Sequence, residues 1–284
     1  MWSSRAGTRP LCDRAALGGN KALVRAICSK ILEAQPDVEV LLAARSMERG
    51  EAACKAILDA DAAAASRIQP LVLDVTSDES VAGAARAVAE KFRGEPRPLY
   101  AVVNNAGVGF GRSIEDTCNT NTRGPRRVCE AFLPLLDPAA GRVVNIASAS
   151  GPIFCAGLDA EQRRFFTHAA PWEEIDAVIQ RSSGPDYEGI AYGFSKALLN
   201  VYTMQLAQEN PQLKINSCSP GYILTDLTAG RGAVTPPEKS NCHEAPLFLL
   251  FGKVEANGRY YGSDAVRSPL DRYRGPGDPP YLGD

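Results

Sequence analysis

Short apolar runs alternate along the chain with stretches of helical composition. The apolar runs cover residues 38–44, 68–73, 99–103, 142–146 and 213–217, and the helical stretches cover 48–60, 80–92, 122–136 and 191–209. Runs that are apolar at nearly every position are typical of strands covered on both faces. Strands separated by helices predict a parallel sheet between two layers of helices. We therefore expect an α/β fold with one doubly wound sheet in a single domain over residues 1–284, with an irregular tail at 275–284.

The composition restricts the ligands and partners. The formal net charge is −2, which gives no reason to expect a nucleic acid or an anionic membrane as partner. No apolar run approaches the roughly 20 residues of a membrane-spanning helix. The eight cysteines are scattered without a C-x-x-C pair, which favours reduced thiols in a cytoplasmic protein. Only two histidines occur, neither at ligand spacing, so we expect no metal site.

Polar and glycine-containing segments follow the predicted strands. The segment "NNAG" (104–107) follows the third, Ser148 follows the fourth and "SPGYILTD" (219–226) follows the fifth. Such sheets bind ligands at the carboxyl ends of their strands. The segment "YGFSK" places Tyr192 and Lys196 four residues apart, on one face of a helix. Taken singly, each has a purely structural alternative: a strand-end cap, a half-buried tyrosine or a solvated lysine.

In this order the motifs resemble those of the short-chain dehydrogenase/reductase family, whose sheet is Rossmann-like. The resemblance runs from about Val38 to Tyr261. It implies that Ser148, Tyr192 and Lys196 are catalytic, with Asn121 in "NTNTRG" as a fourth member. The residues that it assigns to the cofactor are Gly18, Gly19, Asn20, Lys21, Arg45, Asp74, Val75, Asn104, Ala106, Gly107, Tyr192, Lys196, Pro220, Gly221 and Thr225.

The resemblance implies reduction of an aldehyde or ketone by hydride transfer. A free tyrosine has a pKa near 10, and we expect the ammonium of Lys196 to lower the pKa of Tyr192. Tyr192 would donate a proton to the carbonyl oxygen that Ser148 also holds. Lys196 would also bind the ribose hydroxyls of the cofactor. Asn121 would position a water molecule that returns a proton to Tyr192.

Arg45 directly follows the first predicted strand, 38–44, where the family meets the ribose 2′-substituent. A guanidinium would pair with a 2′-phosphate, so we expect NADP(H) as cofactor. The alternative for Arg45 is a solvated loop charge.

The interval between Ser148 and Tyr192 is longer than in most of the family. It resembles the insertion of the monomeric carbonyl reductases, here over 151–190, which covers the surface that other members use to oligomerise. We therefore expect a monomer that acts on a small-molecule carbonyl substrate. The insertion is either a surface elaboration or a wall of the substrate pocket. The aromatic residues that could form that wall are Phe154, Phe165, Phe166 and Trp172.

The segment "GGNKALVRAIC" (18–28) departs from the family's glycine-rich turn, which reads roughly T-G-x-x-x-G-x-G. Aligned without a gap, Ala22 and Val24 replace two glycines; aligned with a gap, about four residues are missing after Asn20. We favour the gap, because the sequence from Lys21 otherwise reads as an unbroken helix and strand. Both alignments predict a damaged pyrophosphate site. The alternative function is therefore a non-catalytic relative that keeps the fold but binds the cofactor poorly.

Overall fold

The computed structural model describes residues 13–19, 21–182 and 190–283, and for residues 13–21 the backbone alone. Within these residues seven parallel strands form one sheet in the order β3-β2-β1-β4-β5-β6-β7. The strands are β1 (Asp13–Gly19), β2 (Val38–Ala44), β3 (Ile68–Val72), β4 (Ala101–Asn105), β5 (Arg142–Ile146), β6 (Lys214–Cys218) and β7 (Tyr260–Tyr261). The predicted α/β class and parallel sheet are confirmed.

Ten α-helices connect and cover the described strands. They are α1 (Lys21–Ala34), α2 (Met47–Leu58), α3 (Asp78–Lys91), α4 (Ile114–Asn121), α5 (Arg123–Phe132), α6 (Ser150–Ala156), α7 (Ala160–Phe166), α8 (Trp172–Arg181), α9 (Ala191–Glu209) and α10 (Glu244–Phe251). Side-chain caps start several of them. The hydroxyl oxygens of Ser46, Ser77 and Ser113 accept hydrogen bonds from the first-turn amides of α2, α3 and α4.

Both faces of the sheet are buried, as an apolar strand pattern requires. In β2, Leu41 and Ala43 belong to one hydrophobic cluster, whereas Val40 and Leu42 belong to another. Successive side chains of a strand point to opposite faces, so the two clusters lie on opposite sides of the sheet. The carboxyl edge of the strands is therefore the edge left for a ligand.

Several predicted elements differ from the structure by one or two residues at an end, and two of the differences have a clear physical reason. The predicted strand 99–103 lies two residues further on, because β4 hydrogen-bonds to β1 as far as Asn105. The predicted helix 122–136 is shorter and follows the separate helix α4. Thr122 breaks the two helices apart (φ −123°, ψ −57°), and its hydroxyl donates to the carbonyl of Ser195 in α9, 3.1 Å away. Tertiary contact with α9 thus stabilises a break that the sequence pattern does not show.

The insertion contributes α6, α7 and α8, and its residues 183–189 lie outside the described part of the chain. Phe154 and Phe166 pack with Phe194 of α9, with ring centroids 5.3 to 6.0 Å apart. Trp172 packs edge-on against Tyr202 of α9 at 5.7 Å. The insertion therefore extends the hydrophobic core over α9. These contacts support the interpretation of the insertion as a structural elaboration, and a role of its aromatic residues in a substrate pocket stays a prediction.

The segment after Tyr273 has no helix or strand over 275–283, as expected. It is held by Arg274, whose guanidinium forms an ion pair with Asp264 at 2.8 Å and also donates to the carbonyl of Pro279. An irregular tail can therefore still be packed against the body of the protein.

Candidate active site

A cavity of about 550 Å³ lies at the carboxyl edge of the sheet, beside the ends of β2, β3 and β4. Five of the residues predicted to bind cofactor line it: Arg45, Asp74, Val75, Ala106 and Gly107. The sequence interpretation missed seven polar or aromatic residues in the same lining: Arg49, Thr76, Phe110, Arg112, Thr120, Asp226 and Arg231. The helical position of Arg49, one turn after Arg45, was the only signal for any of these.

The charged groups of this cavity are largely unpaired. One carboxylate oxygen of Asp74 accepts hydrogen bonds from the backbone amide and hydroxyl of Thr76, at 3.0 and 2.7 Å. In the part of the chain that the structure describes, no arginine of the lining has a carboxylate within 4.0 Å. With four arginines against two aspartates, the cavity favours anionic ligands.

Ser148, Tyr192 and Lys196 come together where β5 ends and α9 begins. The hydroxyl of Ser148 lies close enough to the phenol of Tyr192 to oppose the rise of its pKa, and it donates to the hydroxyl of Ser150 at 3.3 Å. Lys196 is only 3% exposed, and its ammonium donates to the carbonyl of Ile146 at 2.7 Å. The same ammonium lies 5.9 Å from the centroid of the Tyr192 ring.

The ionisation of this group differs from the expectation. Burial raises the pKa of Tyr192, opposed by the nearby hydroxyl of Ser148. Burial also lowers the pKa of Lys196 to about 8. The expected lowering of the Tyr192 pKa by Lys196 is therefore wrong for this structure, because desolvation is the largest effect and the ammonium is directed at the Ile146 carbonyl.

Asn121 is fully buried at the end of α4. Its side chain is hydrogen-bonded to the segment that follows β4. Its amide group exchanges two hydrogen bonds with the backbone of Val108, at 2.8 and 2.9 Å. Its second N–H donates to the hydroxyl of Ser195 at 3.0 Å. Both amide hydrogens are thus used within the protein, and the role in holding a water stays a prediction.

Gly107 connects the cavity with the catalytic candidates. A Cβ atom at this position would lie 3.5 Å from Oδ1 of Asn121 and 3.7 Å from Nζ of Lys196. Because Gly107 also lines the cavity, that cavity reaches the neighbourhood of Lys196. The absence of a side chain keeps this approach open.

The two asparagines of "NNAG" are the last residues of β4 rather than a turn after it. The amide of Asn104 donates to Oδ1 of Asn145 at 2.8 Å and to the sulfur of Cys129 at 3.3 Å, so this side chain points into the core instead of towards a cofactor. Asn105 is 5% exposed, and within the described residues neither its amide oxygen nor its nitrogen has a hydrogen-bond partner. An unpaired buried amide is costly and marks an incomplete site.

The connection between β1 and α1 consists of one residue. Gly18 and Gly19, expected in a turn, are the last two residues of β1, and Lys21 begins α1. Asn20 lies outside the described residues. Gly19 pairs with Asn105, so the unpaired amide lies beside this shortened connection.

The residues at the two ends of the cavity are compatible with the two ends of one bound dinucleotide. Arg45 and Asp74 lie at one end, and Gly107 leads to Lys196 at the other. Among the described residues of the β1–α1 region, the buried side chain of Val24 in α1 lines the cavity. A dinucleotide would therefore meet fewer phosphate contacts here than a glycine-rich turn supplies.

Pro220, Gly221 and Thr225 lie in the loop after β6 but outside the lining of this cavity. Gly221 has φ +88°, a conformation that favours glycine. Thr225 and Thr228 close a tight turn through their hydroxyls. The loop instead contributes the residues that follow, among them Asp226 and Arg231.

Other kinds of site find little support within the described residues. No group of three metal-ligating side chains occurs there, and no described helix is long and apolar enough to cross a membrane. The seven described cysteines are buried and unpaired. The cavity at the sheet edge is the strongest candidate site.

Comparison with known proteins agrees with this geometry. A family model described as short chain dehydrogenase matches residues 15–158, half of the chain. The chain belongs to the short-chain dehydrogenase family. Carbonyl reductase (NADPH) 3 of Rattus norvegicus is 30% identical, over 84% of this chain and 91% of the relative. Carbonyl reductase (NADPH) 1 of Homo sapiens is 29% identical, over 85% and 91%.

Solved structures show the same short-chain dehydrogenase fold. Salutaridine reductase from Papaver somniferum matches with a TM-score of 0.74 at 21% identity, covering 88% of this chain and 99% of that protein. NADPH-bound carbonyl reductase from chicken fatty liver matches with a TM-score of 0.65 at 20% identity, covering 90% and 98%.

Proposed function

We propose that this short-chain dehydrogenase reduces aldehydes or ketones with NADPH, and that Tyr192 is the proton donor. The observation that carries the proposal is the position of Gly107, which lines the cavity and whose Cβ would lie 3.7 Å from Nζ of Lys196. Ser148, Tyr192 and Lys196 are not themselves part of the cavity lining, and Lys196 lies beside Tyr192. The names of the relatives, carbonyl reductases that use NADPH, support the choice of substrate and cofactor.

In the proposed reaction the cofactor, Tyr192 and Ser148 have different roles. The cofactor supplies a hydride to the carbonyl carbon. The raised pKa of Tyr192 keeps its phenol protonated at neutral pH, so that it can donate a proton to the carbonyl oxygen. The hydroxyl of Ser148, close to the same phenol, holds that oxygen and orients the transfer. Proton and hydride together complete the alcohol, and the phenolate left on Tyr192 must then be reprotonated.

Lys196 and Arg45 are proposed to hold the cofactor. Lys196 would donate to the ribose hydroxyls, at the end of the cavity that Gly107 leaves open. Arg45 would pair with the 2′-phosphate at the other end, and Arg49 lies close enough to share that role. Asp74 would contact the adenosine part. The alternative for Arg45, a solvated loop charge, predicts no preference for the phosphorylated cofactor.

Titration of the full chain with NADPH and NADH tests the proposal, followed by the rate of NADPH oxidation with simple aldehydes and ketones. We expect saturable binding of NADPH, weakened for NADH by at least about tenfold, the effect of one charge-assisted contact. Arg45→Leu should remove most of that preference, whereas Arg93→Leu, an exposed arginine outside the cavity, should leave it. A clear preference for NADH would contradict the role of Arg45.

A second function is favoured by the one-residue connection between β1 and α1. With this turn shortened, the chain would be a non-catalytic relative that keeps the fold and acts through a binding partner. Lack of saturable NADPH binding up to millimolar concentration would favour this function. Intact Ser148, Tyr192 and Lys196 favour the enzyme.

We also propose that the protein is a cytoplasmic monomer. Helix α8 of the insertion packs over α9 and lies against α4. The ion pair between Arg123 of α5 and Asp176 of α8, at 2.6 Å, supports a fixed position for the insertion. Light scattering tests the proposal, and a stable tetramer would contradict the covering role of these helices.

A further inference from the structure

Two arginines of the cavity are not used by the proposed cofactor contacts. Arg112 follows β4 and Arg231 lies in the loop after β6, whereas Arg45 and Arg49 follow β2. Arg112 and Arg231 therefore give a second positive region, which is contributed by other loops than the one proposed for the 2′-phosphate.

The side chain of Arg231 is positioned by aromatic stacking. Its guanidinium carbon lies 3.9 Å from the centroid of the Phe110 ring, which is close enough for a cation–π contact. The Phe110 ring in turn packs against the ring of Tyr192, with centroids 5.2 Å apart. The distances of 3.9 and 5.2 Å together limit the separation of the guanidinium from the Tyr192 ring to about 9 Å.

The loop that carries Arg231 is fixed at both of its ends. The hydroxyl of Tyr222 donates to the carbonyl of Arg231, and the amide of Leu224 donates to the carbonyl of Thr235 at 2.8 Å. These contacts close the segment on itself across the cavity. The hydrogen bonds within the loop therefore help to hold Arg231 over the Phe110 ring.

Stacking through its flat face leaves the N–H edge of a guanidinium available to a ligand. In the described part of the chain, neither Arg231 nor Arg112 has an acidic side chain within 4.0 Å. Asp226 lines the same cavity without forming an ion pair with either of them. The positive charge of these arginines favours an anionic group as ligand, and Phe110 and Leu227 add apolar surface to the same cavity.

We propose that the substrate is a carbonyl compound that also bears a carboxylate, and that Arg231, supported by Arg112, selects it. This inference rests on the proposed function, because Tyr192 marks the position of the carbonyl. The carboxylate and the carbonyl of the substrate are separated by several bonds, within the limit set by the Arg231–Phe110 and Phe110–Tyr192 contacts. Arg231 thus determines specificity and takes no part in the hydride or proton transfer.

Equilibrium binding tests the inference without turnover. The probes are β-benzoylpropionate, an aromatic ketone with a carboxylate, and its neutral methyl ester, titrated calorimetrically into the full chain with NADP⁺ present and absent. We expect the acid to bind about tenfold more tightly than the ester, the effect of one charge-assisted hydrogen bond. The advantage should shrink as salt is raised, because the arginines are exposed.

The matched variants identify the residue responsible. Arg231→Leu should bring the ratio of acid to ester affinity close to one, and Arg93→Leu should leave the ratio as in the wild type. A wild-type ratio near one, a ratio that survives Arg231→Leu, or no acid binding up to millimolar concentration would each overturn the inference. So would a loss of NADPH affinity in Arg231→Leu without a change in the ratio, since Arg231 would then be a cofactor residue.

The two proposals fail in different ways. If the acid binds preferentially through Arg231 but neither probe is reduced, the proposed function fails and the anion site stands. If the ester and other neutral ketones are reduced as well as the acid, the proposed function stands and the anion site fails.

Discussion

Replacing Lys196 by methionine should change how the stability of the protein depends on pH. Burial lowers the pKa of Lys196 to about 8 in the folded chain, from an ordinary value of 10.5. Between these two values the unfolded chain binds a proton that the folded chain does not. The free energy of unfolding of the wild type should therefore rise with pH across this window, and below it the charged lysine destabilises the fold.

The difference between 10.5 and about 8 corresponds to about 3 kcal/mol, at about 1.4 kcal/mol for each pH unit. Relative to Lys196→Met, the wild type should thus gain about 3 kcal/mol between pH 7 and pH 10.5. At pH 7 the variant should be more stable than the wild type by about 2 kcal/mol. Removing the buried charge gains about 3 kcal/mol there, and the lost hydrogen bond to the Ile146 carbonyl costs about 1 kcal/mol.

Urea denaturation of both proteins at several pH values measures this difference, in which the titration of all other groups cancels. Lys253→Met is the control, because its side chain is 91% exposed and its ammonium is hydrated in both states. A difference between wild type and Lys196→Met that stays constant within about 0.5 kcal/mol from pH 7 to 10.5 would refute the reasoning. The buried ammonium would then be neutralised by a partner that the geometry does not show.

Three further predictions concern the same region. Tyr192→Phe should lower carbonyl reduction by about 10²–10⁴, the contribution of a general acid, with an unchanged melting temperature; retention of most of the activity would exclude the proposed mechanism. Asn105→Leu should raise the free energy of unfolding by about 1–2 kcal/mol in urea denaturation, because it removes an unpaired buried amide; a loss of stability would show that the amide has a partner in solution. Insertion of a four-residue, glycine-containing turn between Asn20 and Lys21 should tighten NADPH binding by at least about tenfold in a fluorescence titration, whereas unchanged affinity would show that the short connection is not the defect.

Elements with continuous local patterns could be predicted from the sequence. The bounds of β2, β5 and α9 agree with the prediction residue for residue, because each is a run of one composition between clear breaks. The polar segments at the carboxyl ends of the strands were also predicted, since parallel strands bring all these ends to one edge.

Properties that arise from tertiary contact could not be predicted. The inward direction of Asn104 depends on its neighbour Asn145 in the adjoining strand. The raised pKa of Tyr192 depends on desolvation by elements far away in the sequence. The stacking of Arg231 on Phe110 joins two loops more than a hundred residues apart, for which no local pattern exists.

The position of β1 in the sheet has a further consequence, which concerns synthesis of the chain. Strand β1 emerges first from the ribosome, yet it lies between β2 and β4 and joins the two halves of the sheet. Its partner Asn105 in β4 follows Gly19 only after α1, β2, α2, β3 and α3 have been made. The pairing between β1 and β4, which joins the two halves of the sheet, can therefore form only after β4 has been synthesised. Because β1 joins the two halves of the sheet, a substitution that destabilises β1 would affect closure of the whole sheet and not one edge alone.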